Sequence, residues 1–226
     1  MAKPRSLVIV FGPLTRLGRA WLNGPETDVR EVVLVARHAG DRQRLSARYP
    51  GHKVYSDDDS GLPTPSGRAE VVILGLALGP IHPEVPNWAR RVPEIGRDLG
   101  LLEKLLDDCG AVPVHFVYVS SVLSLAPRGT AWYGGWKNVV EDAAATLLAR
   151  SPNARLSVLF PGRLISQRRA ELPASALYTK FSSLASRIDR ILAQGRPVRR
   201  VVGLDARAWL VVRSLSNLGR LVFNRF

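Results

Sequence analysis

Short apolar runs rich in β-branched residues alternate with amphipathic segments through the first 160 residues of this 226-residue chain. Continuous apolar runs of this length are typical of strands that are buried on both faces of a sheet. Six runs predict strands: Ser6–Phe11, Glu31–Ala36, Lys53–Ser56, Glu70–Leu78, Val114–Val119 and Leu156–Phe160. Helical spacing predicts helices between them, at Leu14–Leu22, Asp41–Tyr49, Ile95–Cys109 and Trp132–Arg150, with a loop over Gly79–Pro93. Such alternation requires βαβ crossovers and a parallel sheet, so we predict a doubly wound α/β fold.

After Gly162 the alternation of strand and helix patterns is less regular. The residues predict a helix over Ala174–Gln194, a short strand over Arg199–Val202 and a last helix, capped by Asp205 or a neighbour, through Leu218. We expect residues 1–226 to form one domain, with residues 163–226 as its C-terminal helical part.

Composition narrows the class of protein. The single cysteine, Cys109, excludes a disulfide framework and a cysteine-based zinc site, and it favours a reducing compartment. Apolar runs such as Val71–Leu78 are too short to span a bilayer, and only five apolar residues precede Gly12, which is not a signal-peptide pattern. We therefore expect a cytoplasmic protein.

The positive charge is concentrated in the last third of the chain. The net charge is +13, and residues 151–226 carry 14 basic but only three acidic side chains. This asymmetry indicates an anionic partner, or it reflects a composition that favours Arg over Lys, with 27 Arg and five Lys. Neither the basic nor the aromatic residues match a nucleic-acid-binding motif, so we expect no nucleic-acid partner.

The first predicted strand-turn-helix has the glycines of a nucleotide-binding turn. Gly12 would let a pyrophosphate approach the backbone, and Gly18 would let the helix pack closely on the strand. The middle glycine of the usual fingerprint is replaced by Thr15 or Arg16, depending on the alignment. The expected cofactor-binding residues of this turn are Gly12, Leu14, Thr15, Arg16, Leu17 and Gly18.

Arg37 follows the second predicted strand, where this fold places an acidic residue on a ribose 2′-hydroxyl or an arginine on a 2′-phosphate. With no acidic residue before Asp41, Arg37 favours NADP over NAD; the alternative is a solvated surface arginine.

Tyr133 and Lys137 stand four residues apart at the start of the helix after the fifth strand, so they share a helix face. A lysine in that position can lower the pKa of the phenol and make it a usable proton donor or acceptor. Ser121 follows the fifth strand, at the carboxyl edge where open α/β sheets bind their ligands.

Together these residues resemble the short-chain dehydrogenase/reductase superfamily, over about residues 6–166, as an atypical short member of this Rossmann-type class. The resemblance implies that Tyr133 is the catalytic acid/base, that Ser121 holds the substrate carbonyl, and that Lys137 binds the nicotinamide ribose. It also implies that Pro161-Gly162 passes beside the nicotinamide, with Ala77 lining the cofactor site. Ser166 stands where the family often keeps a threonine near the carboxamide.

The chain departs from the family pattern after its fourth strand. Gly75-Leu76-Ala77-Leu78 replaces the usual N-N-A-G segment, and the helical asparagine of the family's proton relay aligns near Arg97.

The resemblance implies an NADP(H)-dependent carbonyl reductase or alcohol dehydrogenase in a homo-oligomer. The alternatives are a nucleotide-sugar epimerase or dehydratase and a non-catalytic NADP-binding scaffold. The segment over residues 163–226 would build the substrate pocket, and its arginines favour a small or carrier-linked anionic substrate: Arg163, Arg168, Arg169, Arg196, Arg199 and Arg200.

Two further features are the possible metal ligands and the last helix. Asp57-Asp58-Asp59 and the four histidines lack metal-ligand spacing, so we expect no metal. The apolar face of the basic last helix favours a subunit interface or a cover for the core over the remaining alternative, an anionic membrane.

Overall fold

A computed structural model describes residues 6–24, 30–37, 39–56, 68–78, 88–125, 131–166 and 177–223. The strands are β1 (Leu7–Phe11), β2 (Glu31–Ala36), β3 (Lys53–Ser56), β4 (Val71–Gly75), β5 (Val114–Val119), β6 (Ala154–Pro161), β7 (Leu164–Ile165), β8 (Thr179–Lys180) and β9 (Arg199–Val202). The helices are α1 (Arg16–Leu22), α2 (Ala39–Arg48), α3 (Trp88–Cys109), α4 (Ala131–Ala149), α5 (Phe181–Gln194) and α6 (Leu204–Phe223), with a 3-10 helix at Val122–Leu125.

Seven parallel strands form one sheet in the order β3-β2-β1-β4-β5-β6-β9, which confirms the predicted doubly wound α/β fold. The β1, β4 and β5 side chains are buried throughout, because helices cover both faces of the sheet. The chain moves outward from β1 to β2 and later returns to β4 on the other side of β1. This reversal opens a crevice at the carboxyl ends of β1 and β4, where such sheets bind ligands.

Each face of the sheet has its own apolar core. One core joins the sheet to α3 and α4 through residues such as Leu102, Leu105 and Val140. The other joins it to α1 and α5 through Trp21 and Ile188. These two layers hold α3 and α4 on one face of the sheet and α1 and α5 on the other.

Several predicted boundaries are wrong. The helix expected to begin at Ile95 begins at Trp88, so Pro93 lies within α3 rather than ending the loop before it. A proline removes one backbone donor, and the remaining residues of α3 still carry the helix through it. The strand expected over Glu70–Leu78 ends at Gly75. The helix expected over Ala174–Gln194 begins at Phe181, because Thr179 and Lys180 pair with β7 in a two-stranded sheet too short to show a sequence period.

Within the described ranges, no helix combines the length and the apolar character that crossing a bilayer requires.

Candidate active site

The turn after β1 is closed by the side chain of Thr15. Its hydroxyl donates to the Gly12 carbonyl oxygen at 2.7 Å and accepts from the Gly18 backbone N–H at 3.0 Å, so Thr15 is the N-cap of α1. Arg16 is the first helical residue. The two candidates for the position of the middle glycine thus have different roles: Thr15 caps α1, and Arg16 begins it.

Both glycines of this turn lie where a side chain would collide with backbone or with a neighbour. Gly12 has a φ of +80°, and a Cβ there would lie 2.3 Å from the Ala77 Cβ. A Cβ on Gly18 would lie 2.4 Å from the Gly12 carbonyl oxygen. Leu17 is buried, and Leu14 packs against the same core. The turn is thus a tight backbone cradle at the carboxyl end of β1.

Arg37 lies across this cradle. It follows β2, yet its Nη2 donates to the Ala77 carbonyl oxygen beyond β4 and lies 2.6 Å from Asp98 Oδ2. Because β1 stands between β2 and β4, the side chain must pass over the carboxyl end of β1. The Arg37 side chain is 20% exposed, so it is not the solvated surface arginine of the alternative interpretation.

Asp98 is the site residue that sequence reasoning missed. It lies on α3, next to the position aligned with the family's asparagine, and it is buried. A signal was present, since Asp98 shares a helix face with Leu102 and Leu105 at spacings of four and seven residues. A carboxylate in an otherwise buried stripe requires a partner, and Arg37 is that partner.

Lys137 is held in the same crevice. Its Nζ donates to the Leu78 carbonyl oxygen at 2.9 Å, next to the Ala77 carbonyl that accepts from Arg37. The pKa of Lys137 is lowered to about 7, mainly by burial and also by the Arg37 guanidinium, while the Asp98 carboxylate opposes the shift. A change of charge at Arg37 or Asp98 therefore shifts the pKa of Lys137.

Tyr133 lies one helical turn before Lys137, whose Nζ is 5.9 Å from the Tyr133 ring centroid. Burial raises the pKa of Tyr133 to about 12. The expectation that Lys137 lowers the pKa of this phenol is wrong for this arrangement. The reason is that the lysine is itself buried and loses part of its charge near neutral pH.

Ser121 reaches the site through the 3-10 helix that follows β5. Its Oγ accepts from the Leu123 backbone N–H at 3.3 Å. The first turn of α4 packs directly on this segment, since a Cβ on Gly134 would lie 2.3 Å from the Leu123 carbonyl oxygen. The fold thus brings the Ser121 segment against the helix turn that carries Tyr133.

Pro161 ends β6, and Gly162 follows it beside the first turn of α6. A Cβ on Gly162 would lie 2.2 Å from Asp205 Oδ2, which accepts from the Arg163 backbone N–H at 2.6 Å. Asp205, expected only as a helix cap, therefore ties α6 to the loop beyond β6. Ser166 follows β7 and is partly buried.

The described arginines that were expected to bind an anionic substrate have different surroundings. Arg199 pairs with the buried Glu141 of α4 at 2.6 Å, and the Arg163 guanidinium lies 5.3 Å from the Tyr178 ring centroid. Arg196 and Arg200 are exposed. Arg168 and Arg169 lie outside the described residues.

The part of the chain that the structure describes holds no group of three or more His, Cys, Asp or Glu side chains that could bind a metal. Asp57-Asp58-Asp59 lies outside that part.

No protein-family model matches the chain, and no curated protein matches it. Solved structures do match. A short-chain dehydrogenase from Burkholderia cenocepacia J2315 in complex with NADP has 15% identity, over 100% of this chain and 98% of that one, with a TM-score of 0.66. A short-chain dehydrogenase from Streptomyces avermitilis has 17% identity, over 98% and 96%, with a TM-score of 0.64.

A 3-ketoacyl-(acyl-carrier-protein) reductase from Brucella melitensis complexed with NADH has 16% identity, over 90% of this chain and 98% of that one, with a TM-score of 0.57. The chain therefore has the fold of the short-chain dehydrogenases and reductases. At these identities the likeness extends to the fold, and the chemistry must be argued from the residues of this site.

Proposed function

We propose that this protein is an oxidoreductase that uses NADP(H) to interconvert a carbonyl and an alcohol, with Tyr133 as its acid/base. The observation that carries the proposal is the packing of the segment after Ser121 against the start of α4, which carries Tyr133 and Lys137, in a fold shared with short-chain dehydrogenases. A non-catalytic scaffold protein would not need Ser121, Tyr133 and Lys137 together.

The residues around the crevice fit a dinucleotide. Gly12 and Gly18 allow the tight turn between β1 and α1, which brings the start of α1 to the carboxyl end of β1, where a pyrophosphate would bind. Thr15 already bonds the Gly18 N–H, so the remaining first-turn amides are those of Arg16 and Leu17. Arg37 offers a cation, and its buried Nε has no hydrogen-bond partner among the described residues. The 2′-phosphate of NADP would replace Asp98 as the partner of Arg37.

The bound nicotinamide would supply or accept the hydride. Tyr133 is protonated at neutral pH because its pKa is about 12, so in the reducing direction it starts in the form that donates a proton to the carbonyl oxygen. The Ser121 Oγ accepts from the Leu123 N–H, which leaves its O–H to donate to that same oxygen. Lys137 would hold the ribose of the cofactor beside Tyr133, and Gly162 would face the nicotinamide.

The substrate is proposed to be anionic or linked to an anionic carrier. Arg163 begins the segment after Gly162, and residues 151–226 carry most of the excess positive charge. Because exposed charges are screened by salt, kcat/KM for a carboxylated ketone should fall as salt rises, whereas that for its neutral analogue should not.

The test begins with binding. NADPH and NADH are titrated into the purified protein while tryptophan fluorescence and Tm are followed, and NADPH oxidation is then measured against matched carboxylated and neutral ketones. The proposal expects NADPH to bind more tightly and to be oxidised in the presence of a ketone. Failure of both cofactors to bind would overturn it, and binding without oxidation by any ketone would favour the scaffold or the epimerase.

A further inference from the structure

Helix α6 has two apolar faces. Ala206, Trp209 and Leu210 are buried or partly buried on the side of the helix that packs towards β9. The opposite face carries five exposed apolar residues at spacings of four, seven, eight and eleven from the first, and we call it the apolar stripe: Leu204, Ala208, Val211, Val212 and Leu215. Val211, Val212 and Leu215 are each about 60% exposed. A contiguous exposed stripe of this kind marks an interaction surface.

Four arginines lie on neighbouring elements at the start of this helix, and we call them the arginine cluster: Arg187 and Arg190 of α5, Arg200 of β9 and Arg207 of α6. The elements adjoin because Ile188 and Ile191 of α5 share an apolar core with Val202 of β9, and α6 contacts β9. In keeping with this arrangement, burial and then the charges of the other three arginines lower the pKa of Arg187. Arg190, Arg200 and Arg207 are exposed. Within the described ranges, none of the four forms an ion pair.

The surrounding sequence supplies little negative charge. Residues 177–223 contain nine basic side chains and two acidic ones, Asp189 and Asp205. Asp189 accepts from the Trp21 indole and from Arg30, and Asp205 accepts from the Arg163 backbone. Both carboxylates therefore accept from groups outside the arginine cluster, and within the described residues the cluster presents an excess of positive charge to solvent.

We propose that the apolar stripe and the arginine cluster together form a docking surface for an anionic lipid bilayer, with α6 lying in the plane of the membrane interface. Arg207 joins the two features, because it lies one turn from both Leu204 and Val211 on α6. A bilayer offers anionic headgroups for the arginines and an apolar layer just beneath them for the stripe. The proposal does not depend on the proton transfer proposed for Tyr133.

Charge argues against a second copy of this chain as the occupant. A twofold dimer brings the same patch of each subunit together, so it would place one arginine cluster near another. An acidic protein would satisfy the arginines, but it would also have to cover the apolar stripe. The lipid surface supplies both kinds of contact in one partner.

The test is flotation of the whole protein with vesicles of phosphatidylcholine alone or of phosphatidylcholine with phosphatidylglycerol. The proposal expects flotation with the anionic vesicles, weakened by salt, and little with the neutral ones. Arg190→Gln with Arg200→Gln should reduce partitioning about 30-fold, because each arginine near such a surface contributes about fivefold. Val211→Ser with Leu215→Ser should reduce it by more than about tenfold.

Two matched pairs of substitutions serve as controls. Arg44→Gln with Arg48→Gln removes the same charge from exposed positions of α2, and Val92→Ser with Val139→Ser removes exposed apolar side chains from α3 and α4. Both controls should float as the parent does. If Val211→Ser with Leu215→Ser lowers Tm strongly, the test is decided by Arg190→Gln with Arg200→Gln, since both of those positions are exposed.

Three results would overturn the proposal. One is no flotation with anionic vesicles, including the case in which the protein instead binds polyglutamate in a salt-sensitive way. Another is flotation that the control pairs reduce as much as the α6 and cluster variants do. The last is a dimer in analytical ultracentrifugation that Val211→Ser with Leu215→Ser dissociates, with no vesicle binding by the parent.

Discussion

Arg37 Nη2 and Asp98 Oδ2 lie 2.6 Å apart in an ion pair that spans the carboxyl end of β1, with Asp98 almost fully buried. The same Nη2 also donates to the Ala77 carbonyl oxygen. The pair joins a residue after β2 to a residue on α3, and it crosses the crevice in which a dinucleotide would lie. In the proposed NADP complex, the 2′-phosphate would compete with Asp98 for the Arg37 guanidinium.

Arg37→Ala should remove most of the preference for NADPH over NADH. Loss of a charge-assisted contact to a phosphate costs roughly 1.5–3 kcal/mol, so the Kd for NADPH should rise by about tenfold or more. The Kd for NADH should change little. Because the variant leaves Asp98 buried without its partner, Arg37→Ala with Asp98→Asn serves as the control and should show the same loss of preference. Equal Kd values for the two cofactors in the parent protein would contradict the assignment of Arg37.

Asp98→Asn should tighten NADPH binding, since it removes the group that competes for Arg37. Because only the Arg37 side of the pair is partly exposed to solvent, the expected gain is roughly fivefold, equivalent to ~1 kcal/mol. Titration calorimetry measures it, and Glu103→Gln is the matched control, because it breaks an exposed Glu103–Arg150 ion pair elsewhere on α3. In the Arg37→Ala background the effect of Asp98→Asn should vanish. Weaker binding in the single variant would mean that Asp98 positions Arg37 for the phosphate instead.

Tyr133→Phe should keep the fold and the cofactor affinity but remove most of the turnover, because only the hydroxyl that donates the proton is lost. Single-turnover oxidation of NADPH measures the rate, and NADPH titration measures the affinity. Ser121→Ala should reduce mainly the rate, and Lys137→Ala should impair both binding and rate. An unchanged rate in Tyr133→Phe would show that the Tyr133–Lys137 spacing is coincidental.

Gly134→Ala and Gly135→Ala form a test of the packing that holds Tyr133. A Cβ on Gly134 would lie 2.3 Å from the Leu123 carbonyl oxygen, whereas a Cβ on Gly135 meets nothing within 4 Å. Gly134→Ala should therefore lower Tm and kcat, as the start of α4 moves away from the 3-10 helix. Gly135→Ala should raise stability by up to ~1 kcal/mol through helix propensity, with kcat unchanged. Similar Tm values for the two variants would contradict the close packing.

The buried Lys137 should make stability depend on pH. Its pKa is about 7 in the folded protein against 10.5 for an ordinary lysine, so between these values the unfolded chain binds more protons. The contribution of Lys137 to the free energy of unfolding should therefore rise as pH increases from about 7 to about 10. Urea unfolding of the parent and of Lys137→Met across this range measures it. The parent should gain stability relative to the variant, and parallel curves would mean that Lys137 keeps an ordinary pKa.

The sequence by itself determined the features that depend on local pattern. Buried strands and amphipathic helices leave periods of apolar residues in the chain, so their alternation predicted the parallel sheet, which the structure confirms. Gly12 and Gly18 could be recognised in the sequence because a tight turn excludes side chains. The pair Tyr133 and Lys137 could be recognised because a helix repeats every 3.6 residues. Pro93 misled the prediction of α3, since a proline weakens a helix without always ending it.

Only the tertiary structure decided the features that depend on elements far apart in the chain. Asp98 is the partner of Arg37 because the strand order brings the end of β2 within one strand of the side of the sheet on which α3 lies. No local sequence pattern encodes that order. The pKa of Tyr133 is raised instead of lowered, and that of Lys137 is lowered, because burial disfavours the charged form of each side chain. Likewise, the sequence showed that α6 is apolar and basic, but packing against β9 decided which face remains exposed. Burial and partner choice are properties of the assembled layers, so they appear only when the layers are in place.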